Sequence, residues 1–301
     1  MTKVALFGYS QAGKTTLFQT LTGKKEELYD PFQPNVGIAR LPDNRLTRIA
    51  EILQSRKTVF PEMEFYDWKG FPEGQGFPAE YFQNLSAADL LLLVVDNFSP
   101  AADPGQQALS LKMELIFSDE EKLEKILSNR QEEGKMEQDQ QLLLKCQQLL
   151  QEEKPLSLLP EESRRQLSGM DFLSWKPQVV FVNGEARPFS WKESFFQGNA
   201  TGFDLEAFFQ VVKESLGLIV FYTVKGEKAQ AWLIPAKMEA RMAAGKIHKD
   251  MEKGFIKAGV LPYKDLLEIG SWQKAKSLGV LKFLGPHSLF HDGDVVEIFF
   301  H

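Results

Sequence analysis

The run Gly8-Tyr9-Ser10-Gln11-Ala12-Gly13-Lys14-Thr15 constrains this chain more than any other feature. It fits G-x-x-x-x-G-K-[ST], follows an apolar run at residues 4–7 and precedes a helical pattern from Lys14 to Thr22. Strand, glycine-rich loop and helix in that order make a phosphate cradle. Glycines let the backbone wrap a phosphate closely, N–H groups from residues 11 to 16 donate to it, and Lys14 places a point charge on the outer phosphates. The nucleotide-binding set expected here is Ser10, Gln11, Ala12, Gly13, Lys14, Thr15 and Thr16, with Lys14 as the catalytic cation and Thr15 reaching a Mg2+ ion. The competing reading is a structural glycine-rich turn.

A metal beside a triphosphate needs a second acidic group. Asp67 ends an apolar run at residues 63–67 and is placed to hold Mg2+ through water; its alternative role is a strand-end cap. The glycine-rich residues 70–76 then read either as a loop that responds to a γ-phosphate or as a loose connection.

Short aliphatic strands alternate with amphipathic helices over the first hundred residues, with further strands expected at 36–40, 90–95 and 179–182. That pattern predicts an α/β fold, a doubly wound and mainly parallel sheet. Between residues 106 and 151 it changes to two Glu-, Gln-, Lys- and Leu-rich helical stretches broken near Glu133-Gly134-Lys135, which predicts an inserted antiparallel helical hairpin. Residues 218–224 and 229–234 read as two strands around Lys225-Gly226-Glu227-Lys228, and a last strand is expected at 295–300. The expected domains are therefore 1–105 with 170–217 for nucleotide binding, 106–169 for the hairpin, and 218–301 as a small α+β domain.

Charge separates these parts. Residues 219–301 hold 12 Lys/Arg against 9 Asp/Glu, while residues 1–218 hold 23 against 32, so a basic tail follows an acidic body. Lysines and arginines between Lys225 and Lys257, interleaved with Trp232, His248 and Phe255, suit contact with RNA phosphates and unpaired bases, although Trp232 and Phe255 at strand positions also suit a core. The longest aliphatic run, residues 90–95, is far shorter than a bilayer span, and the one cysteine, Cys146, lies in a helical stretch without metal-ligand spacing. A cytoplasmic protein is expected, with no membrane or DNA partner.

Taken together the motifs resemble the YchF/Obg-like ATPases across essentially the whole chain. The resemblance is carried by Pro34-Asn35-Val36-Gly37, Pro42-Asp43-Asn44-Arg45-Leu46 and Lys176-Pro177. In the tail it is carried by Lys225-Gly226-Glu227-Lys228, Ala231-Trp232, Ala243-Ala244-Gly245-Lys246-Ile247-His248, Lys253-Gly254-Phe255-Ile256 and Asp292-Gly293-Asp294-Val295-Val296. It implies a TGS-like (β-grasp) C-terminal domain, ATP binding with slow Mg2+-dependent hydrolysis, association with the ribosome or RNA through the tail, and a switch-like role.

This sequence departs from the family in three places. Pro31 occupies the place of a threonine that helps hold Mg2+. Asp67-Trp68-Lys69-Gly70 keeps the acid and glycine of Asp-x-Ala-Gly but not the small residue. Asn183-Gly184-Glu185-Ala186 puts the glutamate of Asn-x-x-Glu one position early, so Asn183 and Gly184 are expected at the base while ATP and GTP both stay open. Phe71 retains the family's hydrophobic residue in place of a catalytic glutamine. Asn183 is also readable as a turn-forming Asn-Gly. Two other functions compete with a slow NTPase switch. One is a nucleotide-sensing binding protein that has lost hydrolysis. The other is a small-molecule kinase, which would bring an Arg-rich lid that is not seen here.

Overall fold

The computed structural model describes residues 1–24, 33–133, 139–225 and 227–301. Within it the chain forms two compact units, Met1–Ala39 with Met63–Asp204, and Arg40–Glu62 with Leu205–His301.

The first unit is built on a six-stranded sheet in the order Asn35–Arg40, Glu62–Asp67, Thr2–Phe7, Leu90–Asp96, Gln178–Asn183, Phe195–Gly198. Pairing from Glu62–Asp67 through to Phe195–Gly198 is parallel throughout. Leu90 to Val95 are fully buried, as a central strand covered on both faces requires. The strands expected at 36–40, 63–67, 90–95 and 179–182 all form, each longer by a residue or more. Parallel strands end at the same edge, and here that edge carries Phe7, Asp67, Asp96 and Asn183, the register pairing Leu6 with Asp67 and Asp96 with Asn183.

The helical stretch opens with a thirty-residue helix, Pro104–Glu133, and continues with Gln140–Gln151. Leu143, Cys146 and Leu150 of the second helix join Ile116 and Leu123 of the first in one apolar cluster, completed by Leu156, Leu159, Leu167 and Phe172. The expected break near Glu133-Gly134-Lys135 falls largely on residues 134–138, outside the described residues. The returning chain is tied down by Asp119, a buried carboxylate on the long helix that accepts the N–H groups of Leu173 and Ser174 at 2.7 Å each. Cys146 is buried in this cluster, and burial pushes its thiol up to about 11. It behaves as a small apolar side chain.

The second unit has its own six-stranded sheet, ordered Lys282–Leu284, Phe255–Pro262, Asp294–Phe300, Leu218–Lys225, Lys228–Pro235, Lys57–Val59. The hairpin expected at 218–234 forms, with strands antiparallel from Leu218↔Pro235 to Lys225↔Lys228; Gly226 of its turn lies outside the described residues. Residues 40–62 and 205–217, assigned from the sequence to the nucleotide-binding part, belong to this unit instead. Lys57–Val59 adds a parallel edge strand to Lys228–Pro235, and Leu46, Ile49 and Ala50 of the helix Asn44–Ile52 share a core with Val220, Tyr222 and Leu261. A polar knot fixes the arrangement. The Tyr222 hydroxyl donates to Asp43 at 2.5 Å, and Arg45 reaches Asp43 at 3.3 Å and Asp292 at 2.6 Å. Asp292 also accepts from Lys213 at 3.0 Å and from the Val220 N–H at 2.8 Å. The buried Asp43 and the more exposed Asp292 are thus both matched by donors, and for Asp43 the cost of desolvating a charge demands it.

Candidate functional site

The loop between Thr2–Phe7 and the helix Lys14–Thr22 folds as its glycines require. Gly13 caps the helix in the left-handed region at φ 91°, and a Cβ there would meet the Asn183 carboxamide nitrogen at 2.1 Å. A side chain at this position is excluded twice, by conformation and by space. No side chain caps the helix, so the first-turn N–H groups, including those of Lys14, Thr15 and the exposed Thr16, stay available to an anion.

Lys14 bends back over its own loop, its ammonium donating to the carbonyl oxygens of Gly8 at 2.9 Å and Tyr9 at 2.8 Å. Burial lowers its pKa to about 8, opposed by the charge of Asp67. The Thr15 hydroxyl donates to Asp67 at 2.8 Å, and Asp67 is fully buried. The structure therefore brings Lys14, Thr15 and Asp67 together at the strand edge, two hard oxygen ligands beside a cation. Such a pair suits Mg2+ completed by water and phosphate oxygens. Among the described residues no group of three or more His, Cys, Asp or Glu side chains forms a metal cage, so water and phosphate would supply the remaining ligands.

The segment after Asp67 is not a loose connection at its start. A Cβ on Gly70 would lie 2.3 Å from the Lys14 ammonium and 2.6 Å from the Ser10 nitrogen, and the Ser10 N–H donates to the Phe71 carbonyl at 2.8 Å. The Phe71 ring packs edge-on to Phe77 at 5.6 Å and Tyr81 at 5.7 Å, while Phe77 stacks on Tyr9 at 5.7 Å. Residues 72–75 are exposed. Trp68 is buried and stacks on Tyr66 at 5.5 Å, and Lys69, at the place of the family's small residue, is exposed. Pro31 lies outside the described residues.

Asn183 is buried against the loop. Its amide nitrogen donates to the Ala12 carbonyl at 3.0 Å and its oxygen accepts the Ala200 N–H at 2.9 Å. It braces the cradle to the residues after Phe195–Gly198, where Thr20 of the first helix also donates to the Ala200 carbonyl at 2.6 Å. Gly184 turns tightly at φ 112°, its N–H on the Gly198 carbonyl at 2.9 Å and its own carbonyl accepting from Asn97 and Gln197. Glu185 is exposed. The sequence reading missed Ala200 because it acts through its backbone; the bounding residues Gly198 and Asn199 were the only local signal.

In the C-terminal unit two of the aromatics considered for RNA contact are packing residues. Trp232 stacks on Phe221 and donates to Thr223 at 2.8 Å, and Phe255 packs against the buried cluster of Phe221, Ile234 and Val260. His248 caps the helix Lys249–Lys253, its Nδ1 accepting the Asp250 N–H at 3.2 Å.

Known proteins resemble this chain along nearly its whole length. Residues 3–145 match the model of the 50S ribosome-binding GTPases (MMR_HSR1), and residues 218–301 match YchF-GTPase_C, described as a protein of unknown function (DUF933). The ribosome-binding ATPase YchF of Bacillus subtilis (strain 168) is 26% identical over 98% of each chain, and that of Escherichia coli O157:H7 is 26% identical over 99% of each. Obg-like ATPase 1 of Pongo abelii is 24% identical, covering 98% of this chain and 91% of its own. Among solved structures the Schizosaccharomyces pombe YchF GTPase shares the fold, with a TM-score of 0.82 and 18% identity across 99% of this chain and 97% of that one.

Proposed function

Because the chain belongs to the YchF/Obg-like P-loop NTPases, we propose that it binds ATP with Mg2+ in the cradle of residues 10–16 and hydrolyses it slowly, as a switch acting on the ribosome or its RNA through the C-terminal unit. The observation that carries the reading is the Thr15–Asp67 pair at 2.8 Å beside Lys14. Thr15 and Asp67 would hold the metal, which supplies positive charge to the phosphate oxygens. Lys14 and the open first-turn N–H groups would hold and orient those oxygens. Positioning and charge are most of what phosphoryl transfer asks of a protein.

Slow turnover follows from what stands after Gly70: Phe71 brings a ring and a carbonyl, and no side chain to orient a water. ATP is favoured over GTP because the curated relatives are named ATPases, whereas the model matching residues 3–145 and the solved relative are named GTPases. The ribosome is the partner named for the YchF relatives. A cytoplasmic location accords with it, and no described helix is long and apolar enough to cross a membrane. We further read residues 106–169 as an insert in the nucleotide-binding unit.

The test is calorimetric titration of ATP and GTP with Mg2+ into the protein and its Lys14→Ala variant. ATP-selective binding that the variant loses supports the reading, and binding untouched by the substitution rejects it. A second reading, a nucleotide sensor without hydrolysis, draws on Pro31 in the place of the metal-holding threonine and on Lys69 replacing the family's small residue. Phosphate release measured with ribosomes present separates the two: no turnover above the Lys14→Ala background favours the sensor.

A further inference from the structure

The two faces of the C-terminal sheet are covered differently. Ala258, Val260 and Val296 face one buried cluster with Ala240 and Ala243 of the helix Ala240–Ile247. On the other face Leu261 and Val295 lie in the cluster that includes Leu266 and Ala275 of the helices Tyr263–Ile269 and Trp272–Ser277. Further along, that second face emerges from cover. Directly paired residues and every second residue along a strand share a face. Gly259 pairs with Phe283 and Glu297, and Lys257 pairs with Phe299, so these side chains lie on one face with Leu261.

What they present is unusual for a surface. Phe283 is 55% exposed, and its ring centroid is 6.1 Å from that of Phe299. Both rings lie over Gly259, where a Cβ would come within 3.3 Å of Phe299 and 3.5 Å of Phe283. The Lys257 ammonium sits 4.1 Å from the Phe283 centroid and 5.5 Å from that of Phe299, and Lys276 sits 5.8 Å from the latter. The acid on this face, Glu297, is already matched by Lys276 at 2.8 Å.

We propose that this face is a stacking platform for unpaired bases of single-stranded RNA, the exposed Phe283 and the half-buried Phe299 beside it stacking the bases and Lys257 meeting the adjoining phosphate. An exposed ring beside a half-buried one, with an ammonium group lying over the exposed face, is what a sequence-tolerant single-strand site can use. An exposed cation–π contact is weaker than a base stacked on an aromatic ring, so an arriving base displaces Lys257 from Phe283, and the freed ammonium is then within reach of the backbone. The face carries two ammonium groups to one carboxylate, the sign a polyanion requires. The inference rests on the ribosome- and RNA-associated reading of this unit and gives it a place and a chemistry.

Fluorescence anisotropy of a labelled oligouridine of about 12 nucleotides, a length within the range of single-strand sites, titrated with the full chain at low salt, tests it. Phe283→Ala and Phe299→Ala are each expected to weaken binding on the order of tenfold. Phe283→Trp should keep or tighten it. Lys257→Ala should lower the salt slope by roughly 0.7, the loss of one single-strand phosphate contact. Circular dichroism and thermal melting of every variant report whether the chain is folded. Equal affinity in the wild type and the ring variants overturns the platform, and so does absence of oligonucleotide binding by the wild type.

Ribosome co-sedimentation run alongside separates the two readings. Wild-type protein that pellets with ribosomes yet binds no oligonucleotide overturns the platform and leaves ribosome association standing. If pelleting is then also lost in the ring variants, the face docks on a ribosomal protein. Ring-dependent oligonucleotide binding without pelleting keeps the platform and removes the ribosome.

Discussion

At Gly13 two demands meet on one Cα: a left-handed backbone at φ 91° and a carboxamide that would stand 2.1 Å from any Cβ. Gly13→Ala is expected to cost on the order of 1–3 kcal/mol of backbone strain. It should also push Asn183 off the Ala12 carbonyl, so that ATP binding falls together with stability. Urea unfolding and calorimetry on the variant measure both; wild-type ATP affinity in a folded Gly13→Ala protein would contradict the cradle. In the second unit, burial alone would raise the Asp292 carboxyl, yet the Val220 N–H, Arg45 and Lys213 donate to it and hold it below its ordinary 3.8. A depressed carboxylate gives stability that is complete above 3.8 and is lost as pH falls below it. The melting temperature of the wild type should therefore drop more steeply below pH 4 than that of Asp292→Asn, and parallel curves would count against the knot. At this scale the sequence was most readable where chemistry and conformation coincide, as at Gly13, Lys14 and Thr15. It was least readable at Ala200, whose contribution is a backbone N–H that any residue carries.

Among the elements, the segment leaving Asp67 does the most to shape the site. Gly70 lies against the Lys14 ammonium, where a Cβ would come within 2.3 Å, and the next residue, Phe71, is held by its carbonyl on Ser10 and its ring on Phe77 and Tyr81. Aromatic pairs of this kind are worth about 0.5–1.5 kcal/mol each. Phe71→Ala should accordingly speed association of a fluorescent ATP analogue by roughly tenfold, the equivalent of about 1.4 kcal/mol, in a stopped-flow measurement; an unchanged rate would show that this segment does not limit entry. The sequence anticipated the glycine-rich composition of the segment but not its attachment, because the ring partners lie on Phe77 and in the helix Ala79–Leu85, beyond the loop. Strands of six or seven residues were legible from their apolar runs. Lys57–Val59 and Phe195–Gly198 were not, since three or four residues are too few for a period to appear.

Taken as a whole, the chain does not divide where its patterns change. It passes between the two units at Ala39/Arg40, at Glu62/Met63 and at Asp204/Leu205, so the stretch between the phosphate loop and Asp67 runs through the C-terminal unit. No local signal announces this. The helix Asn44–Ile52 is as amphipathic as one packed on the nearer sheet would be, and only Leu46, Ile49 and Ala50 meeting Val220 and Tyr222 reveal where it belongs. Removing residues 218–301 is therefore expected to take the core partners and Tyr222 away from residues 40–62, leaving the buried Asp43 without its hydroxyl donor. A 1–217 fragment should be aggregation-prone and bind ATP poorly; a soluble, cooperatively melting fragment with full affinity would refute this.

Heredity meets the same constraint. On that expectation a gene segment ending at codon 217 hands on the nucleotide site with residues 40–62 stripped of their core partners, and codons 218–301 lack the edge strand Lys57–Val59 and Asp43. The strand Lys57–Val59, which closes one side of the second sheet, and Asp43, which receives Tyr222, are encoded upstream of Asp67. Inheritance of codons 40–62 is thereby tied to that of the tail they pack against, and the two are expected to change together.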